Sequence, residues 1–206
     1  MRGRLIYVMG PSGAGKDSLL LALRPLLEGE PVAFVRRCIT RPASAGGERH
    51  IAVSHERFEE LSARGHFSLQ WKSHGLRYGI PAAWERLLER GTSLIVNGSR
   101  AAFPEARRRH PDLIPVLVSA PVSVLRARLI ARGRESGSDL EERLQSALAP
   151  VPGEASVSGW IRIDNSGRLE DAADALAQSI RKALARRKPG QKPDSFRPVA
   201  PSPVPS

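Results

Sequence analysis

Apolar runs of strand length alternate along most of the chain with stretches in which apolar residues return every three or four positions. Leu5 to Met9 is followed by Leu19, Leu20, Leu23, Leu26 and Leu27, then by Leu94-Ile95-Val96, and later Leu113 to Val118 leads into Val122 to Ala131. A last short run, Trp160 to Ile163, precedes Leu169, Leu176, Ile180 and Leu184 on one helical face. This alternation predicts an α/β fold with a central parallel sheet flanked by helices, because a strand rejoins a parallel sheet through a covering helix. Pro25 is expected to shorten or kink the first helix near Arg24, and Pro115 to sit at the start or edge of its strand. No internal repeat is visible.

The pattern stops near Arg187. Residues 187–206 hold six prolines and almost no apolar periodicity, the composition of a disordered tail. Residues 1–186 therefore read as one domain. The chain has 206 residues, 41% of them hydrophobic, enough to bury a core without a disulfide or a structural metal. The single cysteine, Cys38, cannot form an intramolecular disulfide, and His50, His55, His66, His74 and His110 show no metal-ligand spacing. A reducing cytoplasm is the expected compartment, and the first apolar run is too short for a signal peptide or a membrane span.

Charge narrows the partners. The net charge is +11, and +8 remains when the tail is set aside, so anionic partners are expected: nucleic acid, phosphorylated metabolites or an acidic membrane surface. Trp71, Trp84 and Trp160 lie too far apart for a base-stacking platform and read as core or pocket wall. Arg107-Arg108-Arg109 reads as a solvated helical face.

Directly after the first strand come Gly10, Pro11, Ser12, Gly13, Ala14, Gly15, Lys16, Asp17 and Ser18, and then the leucine-rich helix. This is the G-x-x-x-x-G-K phosphate loop in its strand-loop-helix context. Glycines let several backbone N–H groups converge on one anion, the helix N-terminus adds its positive end, and Lys16 places a charge on the β- and γ-phosphates. The loop is expected to grip a nucleoside triphosphate such as ATP. Asp17 stands where a serine or threonine usually contacts Mg²⁺; it is either a hard oxygen ligand for that ion or a carboxylate favoured by the helix dipole.

Further along lie an Ile39-Thr40-Arg41-Pro42 stretch leading to Gly47-Glu48, then Gln70-Trp71, Tyr78-Gly79, and Arg132, Arg134 and Arg143. These segments, in this order, resemble the guanylate kinase family over nearly all of residues 4–185. The resemblance implies a P-loop kinase fold with a small acceptor-binding region at about 35–80 and an arginine-rich lid at about 132–143. The departures fall on the guanine pocket. Gln70 replaces the glutamate that reads guanine, Ile80-Pro81 replaces an assisting hydroxyl, Ser44 replaces a second phosphate-binding arginine, His50 replaces a tyrosine, and Asn97 replaces an acidic strand end. A pocket that keeps phosphate grips but loses its base reader suits a phosphorylated molecule without a purine.

Within that family, the strings GPSGAGKDSLL, ITRPASAGGERHIA and IVNGSRA resemble the ribose 1,5-bisphosphate phosphokinases associated with phosphonate breakdown. The resemblance implies transfer of the γ-phosphate of ATP, with Mg²⁺, to the 1-phosphate of ribose 1,5-bisphosphate, giving 5-phosphoribosyl 1-diphosphate and ADP. It implies small-molecule partners, with neither nucleic acid nor membrane, and leaves a homodimer open. Arg132, Arg134 and Arg143 would close over the triphosphate, and Arg41 would hold an acceptor phosphate. His50 and Tyr78 would donate to phosphate or simply pack. Asn97, Ser99 and Arg100, at a carboxyl strand end, would contact ribose hydroxyls or the second phosphate. Asn165 would contact adenine or cap the final helix. Two other readings compete: a guanylate or other nucleoside monophosphate kinase, and a non-catalytic binding module of the same fold.

Overall fold

The computed structural model describes residues 2–45, 48–132 and 137–186. The tail from 187 onward and Arg134 lie outside the described residues, as does the side chain of Arg132. The elements run β1 (Leu5–Met9), α1 (Lys16–Leu26), β2 (Val32–Phe34), β3 (Cys38–Ile39), β4 (Ile51–Ala52), α2 (His55–Ala63), β5 (Phe67–Ser73), β6 (Leu76–Pro81), α3 (Glu85–Glu89) and β7 (Ser93–Asn97). They continue with α4 (Phe103–Arg109), β8 (Ile114–Ser119), α5 (Val122–Arg132), α6 (Gly137–Leu148), β9 (Ile161–Asp164) and α7 (Leu169–Ala185).

Five strands form an all-parallel sheet in the order β2-β7-β1-β8-β9. Every residue of β1 is buried, as expected for a central strand covered on both faces. Alternation divides its side chains between two cores. Ile6 and Val8 pack with Leu19 and Leu23 of α1 and with Leu176 and Ile180 of α7, whereas Leu5, Tyr7 and Met9 pack with Leu88, Leu94, Val96 and Phe103. Pro25 lies in the last turn of α1, which ends one residue later, and Pro115 is the second residue of β8. Arg108 and Arg109 stay at the surface on Glu105, whose carboxyl they hold down at about 2. Among the described residues no helix is long and apolar enough to cross a membrane.

Between β2 and β7 the chain builds a second, mixed sheet in the order β4-β3-β6-β5. Phe58 of α2 stacks on Phe67 of β5, with ring centroids 4.6 Å apart, and buries Cys38 beneath them. This subdomain faces the carboxyl ends of β1 and β7. Because β1 lies between β7 and β8, the chain reverses direction across the sheet there, which is where open α/β sheets form their crevice.

The turn after β7 is held from below. Tyr7, with no exposed surface, accepts from the Ser99 N–H at 3.0 Å and donates to the Ser99 carbonyl at 2.9 Å. A Cβ at Gly98 would sit 2.1 Å from the Tyr7 ring, so only glycine allows this approach. Tyr7→Phe leaves both Ser99 backbone groups without that partner. It is expected to cost about 1–3 kcal/mol of stability, measured as a lowered midpoint in urea unfolding with unchanged slope.

Candidate active site

The loop between β1 and α1 lines one end of a cavity of about 430 Å³ through Gly10, Pro11, Ser12, Gly13, Gly15, Lys16 and Asp17. Gly15 caps α1 in the left-handed conformation, φ 79° and ψ 22°, where a side chain would be strained. A Cβ there would also lie 2.5 Å from Asn165 Nδ2 and 3.6 Å from Arg128 Nη1. Lys16 Nζ donates to the carbonyls of Gly10 and Pro11 at 2.8 and 3.0 Å, which holds the ammonium across the mouth of the loop. Two predicted loop contacts fall elsewhere. Ala14 is fully buried beneath the loop, and Ser18 points to solvent from the outer face of α1, so neither lines the cavity.

Asp17 and Asn97 meet across the crevice. Asn97 Nδ2 donates to Asp17 Oδ1 at 2.7 Å, and because a carboxylate only accepts, this contact fixes which way the amide faces. Asn97 Oδ1 is then left buried and without a partner among the described residues. Both residues line the cavity, so two hard oxygen acceptors stand beside the phosphate loop.

Asn165 differs from both expectations for it. Its side chain is 2% exposed and lies outside the cavity lining; Nδ2 donates to the Ala14 carbonyl at 2.8 Å while the backbone N–H donates to Ser119. The residue preceding α7 is Arg168, with no side-chain cap, so Asn165 does not cap that helix. Instead it fastens the phosphate loop to the ends of β8 and β9.

Arg100 is also redirected. Its guanidinium donates to the Ala147 and Ala149 carbonyls at 3.0 and 2.9 Å and to that of Ser146, covering carbonyls at the end of α6. These bonds use three of its five N–H groups, and the residue still borders the cavity. Burial lowers its pKa from the usual value. The helix it anchors carries Arg143, whose Nη1 lies 3.4 Å from Ser12 Oγ of the phosphate loop. Ser99 lines the cavity too, its hydroxyl accepting from the Ala101 N–H.

The far wall comes from the second sheet. Arg41 lines the cavity, with Nε buried and unpartnered among the described residues. His50 stands behind it instead of in the wall. One ring nitrogen lies 2.9 Å from the Arg41 carbonyl, and the other lies 3.3 Å from Arg41 Nη2 and 3.0 Å from the Glu48 carbonyl. Tyr78 lines the cavity and stacks nearly parallel on Trp71, centroids 5.4 Å apart. Burial raises the Tyr78 pKa, partly offset by Arg37 and Arg41, so its hydroxyl keeps its proton at neutral pH. Gln70 points the other way, exposed and accepting from Ser62 Oγ at 2.8 Å. Strand alternation sends Trp71 and Ser73 inward and Gln70 outward. Ile80 is buried in the core, and neither it nor Pro81 borders the cavity.

Sequence reasoning gave no role to Arg37, Glu48 or His74, and all three line the cavity. Arg37 is 8% exposed, lies over both stacked rings at 5.7 and 5.0 Å, and pairs with Glu48. His74 holds φ 48° in the β5–β6 turn, a conformation uncommon outside glycine and one that recurs at functional sites.

A parallel sheet with a lysine-bearing phosphate loop, a facing second sheet and an arginine-bearing helix beside the loop defines a guanylate-kinase-like P-loop kinase. The solved guanylate kinase of Anaplasma phagocytophilum superposes with a TM-score of 0.66 over 89% of this chain and 87% of that one, at 19% identity. A gluconokinase from Sinorhizobium meliloti gives 0.51 over 89% and 94%, at 21% identity. At these identities the likeness concerns the fold alone. No protein-family model matches the chain. Ribose 1,5-bisphosphate phosphokinases are much closer in sequence. That of Desulfomicrobium baculatum is 47% identical over 86% of this chain and 94% of its own length. The Azotobacter vinelandii enzyme is 47% identical over 88% and 98%, and the Agrobacterium fabrum enzyme 42% over 90% and 100%. The chain belongs to the ribose 1,5-bisphosphate phosphokinase family.

Asn165→Ala removes the donor to Ala14 without touching the cavity lining. A hydrogen bond of about 1 kcal/mol corresponds to roughly a fivefold weaker ATP affinity, which calorimetric titration of the purified chain measures.

Proposed function

We propose that this chain transfers the γ-phosphate of ATP to the 1-phosphate of ribose 1,5-bisphosphate, yielding 5-phosphoribosyl 1-diphosphate and ADP. The observation that carries this reading is a single cavity with a phosphate loop at one end and Arg41 in the facing wall, while Gln70, at the position of the guanine reader, lies outside it. Such a cavity grips phosphate at both ends.

The step needs little covalent help. An oxygen of the 1-phosphate attacks the γ-phosphorus, the bond from that phosphorus to the β,γ-bridging oxygen breaks, and its electron pair leaves with ADP. The attacking oxygen is already anionic, so no proton has to be removed. The work of the protein is to hold donor and acceptor in line and to neutralise charge. Lys16 and the backbone N–H groups of the loop hold the triphosphate. Arg143 approaches it from α6, with Arg132 and Arg134 as further lid cations. Arg41 holds an acceptor phosphate, and His50 fixes the direction of Arg41. Tyr78 donates from the aromatic wall.

Mg²⁺ fits the donor end. Asp17 and Asn97 Oδ1 are hard oxygen donors beside the loop, and with ATP's own phosphates they suit an ion that takes few protein ligands. Bound there, the ion would neutralise charge on the β- and γ-phosphate oxygens.

A coupled assay of ADP release with ATP and either ribose 1,5-bisphosphate or GMP tests the reading. Rapid turnover with the sugar bisphosphate and little with GMP is expected; GMP used equally well would overturn it. Arg41→Ala should lower kcat/KM for the sugar bisphosphate by about 10- to 150-fold, the worth of a charge-assisted phosphate contact, with the KM for ATP little changed. Asp17→Asn should raise the Mg²⁺ concentration giving half-maximal rate, read from a metal titration at fixed ATP.

A further inference from the structure

A carboxylate in the wall of a cavity built for anions opposes phosphate binding unless its charge is offset. Glu48 is such a carboxylate, lining the same cavity as Arg41 and Tyr78. Its charge is offset by Arg37, whose Nε donates to Oε1 at 2.9 Å and to Oε2 at 3.2 Å while Nη2 donates to Oε1. Arg37 is itself held over the Trp71 and Tyr78 rings, so the pair is anchored through the arginine.

Stability alone gives little reason for this arrangement. A largely buried ion pair, with side chains 10% and 17% exposed, gains about what it loses in desolvation, and apolar side chains of similar volume serve a core as well or better. What a carboxylate supplies that apolar groups, arginines and lysine cannot is the ability to accept hydrogen bonds. An ionised carboxylate has about four acceptor positions, and Arg37 reaches it with two N–H groups, Nη2 on Oε1 and Nε shared between Oε1 and Oε2. Acceptor capacity on Oε2 remains. At neutral pH the phosphates of a sugar bisphosphate chiefly accept, and its ring hydroxyls are the donors it brings.

We propose that Glu48, oriented by Arg37, accepts a hydrogen bond from a ring hydroxyl of the acceptor sugar and selects the acceptor by that hydroxyl. The inference rests on the sugar-bisphosphate reading above. It makes Glu48 a substrate-contacting specificity residue and Arg37 a positioning residue.

The test compares kcat/KM for ribose 1,5-bisphosphate with that for its 2-deoxy and 3-deoxy analogues, at saturating ATP and Mg²⁺. The unmodified chain should prefer the parent sugar over one of the two analogues by about tenfold or more, the range for a hydrogen bond to a charged group. Glu48→Gln keeps the shape but loses the charge and should shrink that ratio severalfold. Glu48→Asp keeps the charge but withdraws it by one methylene, and should shrink the ratio too. A purely structural Glu48 would lower activity on all three acceptors together and leave the ratio unchanged in both variants, which would overturn the proposal. So would an unmodified chain that uses both deoxy analogues as well as the parent. A chain that does not phosphorylate ribose 1,5-bisphosphate at all would overturn the substrate reading and this proposal with it; one that does so without regard to either hydroxyl overturns this proposal alone.

Discussion

The bond from Asn165 to the carbonyl of Ala14 ties the phosphate loop to the sheet. It works together with two close approaches that only glycine permits, Gly15 against Asn165 and Gly10 against the Val118 carbonyl, where a Cβ would lie 2.5 and 2.2 Å away. The loop is thereby pressed onto the ends of β8 and β9 from below, and its open side turns toward the crevice. The positions of Lys16, Asp17 and the first turn of α1 follow from that placement. Through Asp17, so does the orientation of Asn97 on the neighbouring strand.

A second set of constraints holds the wall opposite. Its cations are fastened to neighbouring groups, Arg41 to His50 and Arg37 to Glu48 and two aromatic rings, while Arg100, after β7, is fastened to the end of α6. An arginine already held in one geometry loses less freedom when phosphate arrives than one waving in solvent. On the proposed reading, preorganisation of this kind is how a protein whose reaction needs no general base lowers the barrier for joining two highly charged molecules.

The fold was legible because its signals are local. Strand-length runs, helical spacing and the nine residues from Gly10 to Ser18 each lie within a short stretch, and the parallel sheet follows from their alternation. The lining of the candidate site was legible where a residue stands in or beside its own motif, as with Lys16, Arg41 and Tyr78, all of which border one cavity. Where the deciding partner is remote, the sequence does not show what a side chain is bonded to. Arg100 is claimed by carbonyls 46 to 49 residues away, and Asn165 by one 151 residues away. Gln70 illustrates a different limit. An irregularity between Phe67 and Leu69 resets the alternation of β5, so the face taken by Gln70 or Trp71 depends on a bulge that composition does not reveal. Glu48 received no role because a carboxylate acquires meaning here only through Arg37, eleven residues earlier in the chain.

Phosphorus NMR of the reaction products tests most directly the claim that donor and acceptor phosphates meet in this one cavity. With ATP, Mg²⁺ and ribose 1,5-bisphosphate, the account predicts new coupled diphosphate resonances on carbon 1, in step with ADP, while the 5-phosphate remains a monoester. A phosphate added to a ring hydroxyl, or a diphosphate formed at carbon 5, would contradict it.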